Sequence, residues 1–147
     1  MDNTDIRIIK YLAENADISA ADIAPDINLS VPAINKRIAR MKADGTIRKT
    51  TVITDGNAVG KSLSAFILIA LSDFSQSESL LDVLKNDPDI LECYAVSGEY
   101  DYLIKLCARD IDDLEDKLLE MKRVRGLKSQ TLMCLREHKY ETAMLPE

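Results

Sequence analysis

LSVPAINKRIARMKADGTIRK, residues 29–49, carries Lys36, Arg37, Arg40, Lys42, Arg48 and Lys49 against a single acid, Asp44, a local net charge of +5. The whole chain of 147 residues has 19 Lys and Arg against 25 Asp and Glu, a net charge of -6. The stretch reads as a helix. Ser30 is a good N-cap, and Pro32 costs little in a first turn whose amides have no intrahelical acceptor. Ile34, Ile38 and Met41 recur at i, i+4 and i+7 and form the buried stripe. Gly45 supplies the stop. At 100° per residue, Pro32, Lys36 and Arg40 lie opposite that stripe, flanked by Ala33 and Asn35.

Two shorter helices are expected before it. Thr4 is the expected cap of the first, with Ile6, Ile9 and Leu12 inward. Ser19 and Asp22 resemble a capping box opening the second, with Ile23 and Ile27 inward. Pro25 should shorten or kink that helix. Asn28 stands where the chain must turn, and Asn tolerates the left-handed conformation. After the third helix, the β-branched residues 46–54 read as a short hairpin, a wing, bearing Arg48 and Lys49. Three helices with a basic third face and a basic hairpin make a winged helix-turn-helix over residues 1–54.

A polar segment with Gly56 and Gly60 (residues 55–63) reads as a linker. The remainder, residues 64–140, alternates as βαββαβ, the ferredoxin-like order. Strands are expected over 64–72, 90–97, 100–108 and 127–139. Helices are expected over 78–86 and 112–123, the first with Leu80, Leu81 and Leu84 inward. The second has Leu114, Leu118 and Met121 inward and an Asp113–Lys117 pair outside. Residues 141–147 form a tail. The fold class is α+β.

Charge divides the chain in the same way. Residues 1–61 carry a net charge of +1 and residues 62–147 a net charge of -7. Only the part that meets a polyanion needs to be positive.

In the ferredoxin-like order the first and third strands are central, and two helices cover one face. Yet the first strand is apolar on both sides, with Phe66, Leu68 and Ala70 on one and Ala65, Ile67, Ile69 and Leu71 on the other. The third shows Tyr102, Ile104 and Leu106 against Leu103 and Cys107. A wet face would alternate with polar residues. A second copy of the sheet should cover it, giving a homodimer that buries about 800 Å² per subunit.

Cys93, Cys107 and Cys134, spaced by 14 and 27, fit neither a disulfide framework nor a zinc pattern. They read as three buried thiols in a reducing, cytoplasmic compartment. His138 has no ligand partner nearby in sequence. No export signal or membrane span is expected, and no metal or cofactor.

The third helix would lie in the major groove of double-stranded DNA. Asn35 and Lys36 can read bases, since Asn pairs with adenine and Lys reaches guanine acceptors. Arg37, Arg40, Arg48 and Lys49 would hold phosphates, with Ser30, Pro32 and Ala33 completing the face. Four such groups per subunit, eight per dimer, give a log–log salt slope of about -7.

The segment LSVPAINKRIARMKADGTI resembles the recognition-helix signature of the Lrp/AsnC, or feast/famine, regulators. VSGEYDYLIKL resembles the signature of their ligand-sensing domain, and Arg125-Gly126-Leu127 matches too. The resemblance spans residues 5–139. It differs at Asn28, where the family often has Gly, and at Pro25. It implies a transcriptional regulator whose second domain dimerises, often assembles into octamers, and binds a small effector, commonly an amino acid, at subunit interfaces. The family's pocket, carried over, points to Ser97, Gly98, Glu99, Tyr100 and Asp101, with Thr131 from a neighbour. Gly98 lets backbone amides approach a carboxylate, and Asp101 can accept from an α-ammonium. Gly98-Glu99 also fits a plain hairpin turn.

Two rivals stand beside this reading. Some siroheme decarboxylases share the architecture, but the chain offers no nucleophile–base pair and no metal cluster. A dimeric small-molecule sensor could also use its helix-turn-helix to touch protein.

Overall fold

The computed structural model describes all 147 residues, which divide into two compact units, Met1–Ile53 with Lys139–Glu147, and Thr54–His138. The first unit holds α1 (Asn3–Glu14), α2 (Ala20–Ile27) and α3 (Val31–Ala43). Ile8, Ile23 and Ile34 are wholly buried between them, with Met41 and Ile27 alongside. Full burial contributes about 1.5–3 kcal/mol for each such side chain. The centre of α1 is therefore Ile8. Ile9 and Leu12 pack beside it as expected, and Ile6 lies outside the cluster.

The α1 cap is Asp2, not Thr4. Its carboxylate accepts the Asp5 amide and the Asp5 side chain accepts the Asp2 amide, a reciprocal box. Ser19 and Asp22 form the same device on α2. Pro25 sits inside α2, which runs only two turns. Asn28 then adopts the left-handed conformation, φ 58° and ψ 42°, which reverses the chain into α3.

The hairpin expected over residues 46–54 does not form. The Ile47 amide bonds back to the Met41 carbonyl, and residues 48–54 join no ladder. The physical reason lies in composition: TIRKTTVIT contains no Gly, Pro, Asn or Asp to make the reversal. Val52 is left 83% exposed. Within the linker expected over residues 55–63, residues 55–61 form compact turns. The Asp55 carboxylate accepts the Asn57 amide, and the Lys61 amide bonds to the Gly56 carbonyl.

The second unit is a four-stranded antiparallel sheet in the order β2-β3-β1-β4. Its strands are β1 (Leu63–Leu71), β2 (Ile90–Ala95), β3 (Tyr102–Ala108) and β4 (Leu127–Met133). Its helices are α4 (Ser77–Asn86) and α5 (Ile111–Met121). As expected, β1 and β3 are central. Ala65, Ile67, Ile69, Tyr102, Ile104 and Leu106 are buried together with Leu80, Leu84, Leu114 and Met121 of the helices. The last strand is six residues shorter than expected. It pairs antiparallel with β1, and its partner runs out: the Cys134 amide bonds to Ser64, next to the first residue of β1.

Phe66, Leu68 and Ala70 of β1 and Leu103 of β3 occupy the sheet's other face, where no helix lies, with exposed Tyr94 and Leu132 at its flanks. Lys105 stands over the Phe66 ring at 5.9 Å. The cysteines are not buried as expected: Cys93 and Cys134 are exposed and Cys107 is half-buried. Cys93 lies on the outer strand, and Cys134 lies just past the end of β4. The Asp113–Lys117 pair does not form either. Lys117 turns inward to Asp87 and Asp89, and Asp113 pairs with Arg109. No helix is long and apolar enough to cross a membrane.

Candidate nucleic-acid interface and effector loop

Helix α3 is built as its sequence requires. The Ser30 hydroxyl accepts the Ala33 amide, Pro32 occupies the first turn, and Gly45 follows the C-cap at φ +81°. Ile34 and Met41 are buried, and Ile38 packs beside them. That fixes the helix rotation. Pro32, Asn35, Lys36 and Arg40 are exposed and Ala33 is half-buried. Arg48 and Lys49 are exposed on the irregular segment after the helix. Lys36, Lys42, Arg48 and Lys49 form no ion pair within the chain.

Arg37 and Arg40 differ from these four. Arg37 donates through one nitrogen to Asp2 at 2.7 Å and to Asp5 at 2.9 Å. Arg40 donates to the second Asp5 oxygen at 2.5 Å. Asp5 is only 1% exposed. Burial pushes its carboxyl up. The hydrogen bonds from Arg37, the Asp2 amide and Arg40 outweigh that and hold it below the ordinary aspartate value. Asp2 is likewise held low, chiefly by Arg37, and the Arg37 guanidinium is pushed up by both carboxylates. Asp5 is the residue that reading the sequence missed. Counting apolar spacing treats an acid as surface, although the alternation of Asp2 and Asp5 before Ile8 carries the signature of a capping box.

The second candidate site is the loop between β2 and β3. Ser97, Gly98 and Glu99 are exposed, and Gly98 takes φ +116°, a region open to glycine. The Asp101 backbone closes the loop: its carbonyl accepts the Val96 amide at 3.0 Å and its amide donates to Ile69 at 2.8 Å. Its carboxylate accepts the Leu71 amide at 2.7 Å. The Tyr100 hydroxyl donates to Gln130 at 2.6 Å. Residues 97–101 therefore come together at one end of the sheet. Thr131 pairs with Ile67 further along β4 and has no hydrogen bond to the loop. The β4 residue that the loop reaches is Gln130, which sequence spacing gave no means to select.

Both parts of the chain match known protein domains. Residues 64–144 match the Lrp/AsnC ligand binding domain, and residues 1–48 match a winged helix-turn-helix DNA-binding domain. The HTH-type transcriptional regulator FL11 of Pyrococcus horikoshii is 31% identical over 147 residues, covering 99% of this chain and 96% of its own. Transcriptional regulator AzlB of Bacillus subtilis is 30% identical over 139 residues, covering 90% of this chain and 88% of its own. Among solved structures, a feast or famine regulatory protein from M. tuberculosis complexed with L-methionine superposes with a TM-score of 0.91 at 25% identity, covering 99% of both chains. E. coli AsnC superposes with a TM-score of 0.88 at 27% identity, covering 97% of both chains. The relatives FL11 and AzlB are named transcriptional regulators, which sets the decarboxylase reading aside. The chain is a transcriptional regulator and belongs to the Lrp/AsnC family.

Proposed function

We propose that the protein is a cytoplasmic homodimer that binds specific duplex DNA through α3 and changes its binding when an amino acid occupies the β2–β3 loop. The observation that carries the DNA reading is the rotation of α3. Its buried Ile34 and Met41 leave Asn35 and Lys36 in water at the N-terminal half, where a recognition helix meets base edges. Arg40, Arg48 and Lys49 supply phosphate contacts, and Ser30, Pro32 and Ala33 shape the surface that enters the groove.

Dimerisation is supported by the open face around Phe66, Leu68 and Leu103. Exposed apolar patches of this kind mark interfaces. Further assembly of dimers, up to octamers, belongs to the same proposal. An effector pocket at an interface is supported by the loop chemistry: exposed Gly98 offers close backbone approach to a carboxylate, and Asp101 offers an anion to an α-ammonium. The similar M. tuberculosis structure holds L-methionine, and a relative in Zymomonas mobilis, 28% identical over 152 residues, is named a glutamate uptake regulatory protein.

Mobility shifts on genomic fragments, repeated with a panel of amino acids, test the whole reading. The expected result is retarded fragments whose affinity changes with one or a few amino acids. Retardation of no fragment at low salt overturns the DNA part, and indifference to every amino acid overturns the effector part.

A further inference from the structure

Six basic side chains crowd residues 29–49, yet they are not equivalent. Arg37 is 28% exposed and points along the flank of α3 that faces α1, where it pairs with two carboxylates, Asp2 and Asp5. Arg40 is 54% exposed. One edge of its guanidinium rests on Asp5, and a guanidinium keeps further donors free for a second acceptor. Two arginines thus meet two aspartates, and the cluster is neutral as a whole. Asp5 is the shared member: one oxygen takes Arg37, the other takes Arg40 and the Asp2 amide.

We infer that Asp5 is a positioning residue for DNA recognition: with Asp2 it withdraws Arg37 from the phosphate backbone and holds Arg40 by one edge so that the other edge faces a phosphate. The inference rests on the DNA-binding reading above and deepens it. Asp5 occupies, inside the protein, the place that a phosphate would otherwise take on Arg37. Because Asp5 is buried and anchored in the α1 cap, it also ties the rotation of α3 to α1, which sets where Asn35 and Lys36 meet the bases. Non-specific attraction scales with the number of phosphates neutralised, whereas specificity depends on the placement of base contacts. Asp5 acts on both in the favourable direction. With Arg37 withdrawn, a dimer neutralises about six phosphates through Arg40, Arg48 and Lys49, and the log–log salt slope is about -5 in place of about -7.

The test measures the affinity of the full chain for a cognate and a scrambled duplex across a series of salt concentrations, for wild type, Asp5→Asn, Arg37→Gln and Arg40→Gln. Folding of each is checked by circular dichroism. Arg40→Gln should flatten the slope by about 0.9 for each subunit bound. Arg37→Gln should leave the slope unchanged and lower the preference for the cognate duplex about tenfold, as base contacts shift. Asp5→Asn should steepen the slope, tighten binding to the scrambled duplex and lower the preference. A purely structural Asp5 would weaken binding to both duplexes equally at constant slope, and that result overturns the inference. So does an Arg37→Gln variant whose slope flattens as much as that of Arg40→Gln. If Asp5→Asn does not fold, the comparison of the two arginine variants decides alone. Wild type that ignores both duplexes at low salt refutes the DNA reading itself, a separate outcome from these.

Discussion

The Asp101 carboxylate accepts the backbone amide of Leu71 at 2.7 Å, so the β2–β3 loop is tied to the end of the central strand β1. One residue therefore serves two purposes in the proposed scheme, as scaffold and as ammonium acceptor. The two separate on substitution. Asp101→Asn keeps an oxygen for Leu71 but loses the charge. Asp101→Ala loses both and strands the amide, at about 1–3 kcal/mol. Effector response should vanish in both variants, while the melting temperature falls clearly only in the alanine variant. Thermal shift with and without the responding amino acid checks this. A normal response in both variants moves the pocket elsewhere.

Lys36 is exposed, pairs with nothing in the chain and lies opposite Ile34 and Ile38 on α3. Lys36→Ala should cost about 1–3 kcal/mol of binding to a cognate duplex and leave the fold untouched. Fluorescence anisotropy on cognate and scrambled DNA measures it. Unchanged cognate affinity would mean that another face of α3 meets the groove.

Leu68 sits at the centre of the uncovered sheet face, paired with Leu103 on one side and Gln130 on the other. A charge placed there would be desolvated in a face-to-face dimer. Leu68→Asp should turn the dimer into a monomer in sedimentation velocity and weaken DNA binding, since two linked domains bind more tightly than one. A variant that sediments like the wild type places the interface elsewhere.

Much of this was legible from residue order. Ser19 with Asp22, Ser30 with Pro32, and Asn28 at the turn all signal helix ends through side chains that satisfy orphan amides or tolerate positive φ, and each does so here. The central placement of β1 and β3 followed from the βαββαβ order of the elements. What was not legible is tertiary. Asp5 is buried because two arginines 32 and 35 residues away reach it. Lys117 leaves the helix surface because Asp87 and Asp89 lie across from it. The length of β4 is set by where β1 begins, and the missing hairpin by the lack of a turn residue between two strand-like halves.

Acid should reveal the Asp5 cluster. When folded, the Asp5 carboxyl titrates below its ordinary value of 3.8. Its contribution to stability is therefore complete above that value and is lost as pH falls through it towards the folded titration point. Asp89, held low first by Lys61 and then by Lys117 against its burial, acts with the same sign in the second unit. Urea midpoints should thus be steady from pH 7 to about 5 and fall steeply below about 4. The Asp5→Asn variant should lose less of its stability over that acid range than the wild type.

Gly126 turns the chain into β4 at φ +80°, and a Cβ there would lie 2.3 Å from the Ser72 hydroxyl oxygen, whose own amide bonds to the Gly126 carbonyl. Gly126→Ala meets both backbone strain and a clash. It should destabilise the second unit by at least about 1 kcal/mol, or about 5 °C in melting temperature. A melting curve that overlays the wild type contradicts the geometry of this turn.

Nuclease footprinting of the purified full chain on genomic DNA bears most directly on the role of α3. The expected outcome is discrete protected sites, with half-sites about one helical turn apart, that survive moderate salt and disappear with Lys36→Ala. Protection that is absent in dilute buffer, or uniform along every fragment and indifferent to Lys36, would contradict recognition by this helix.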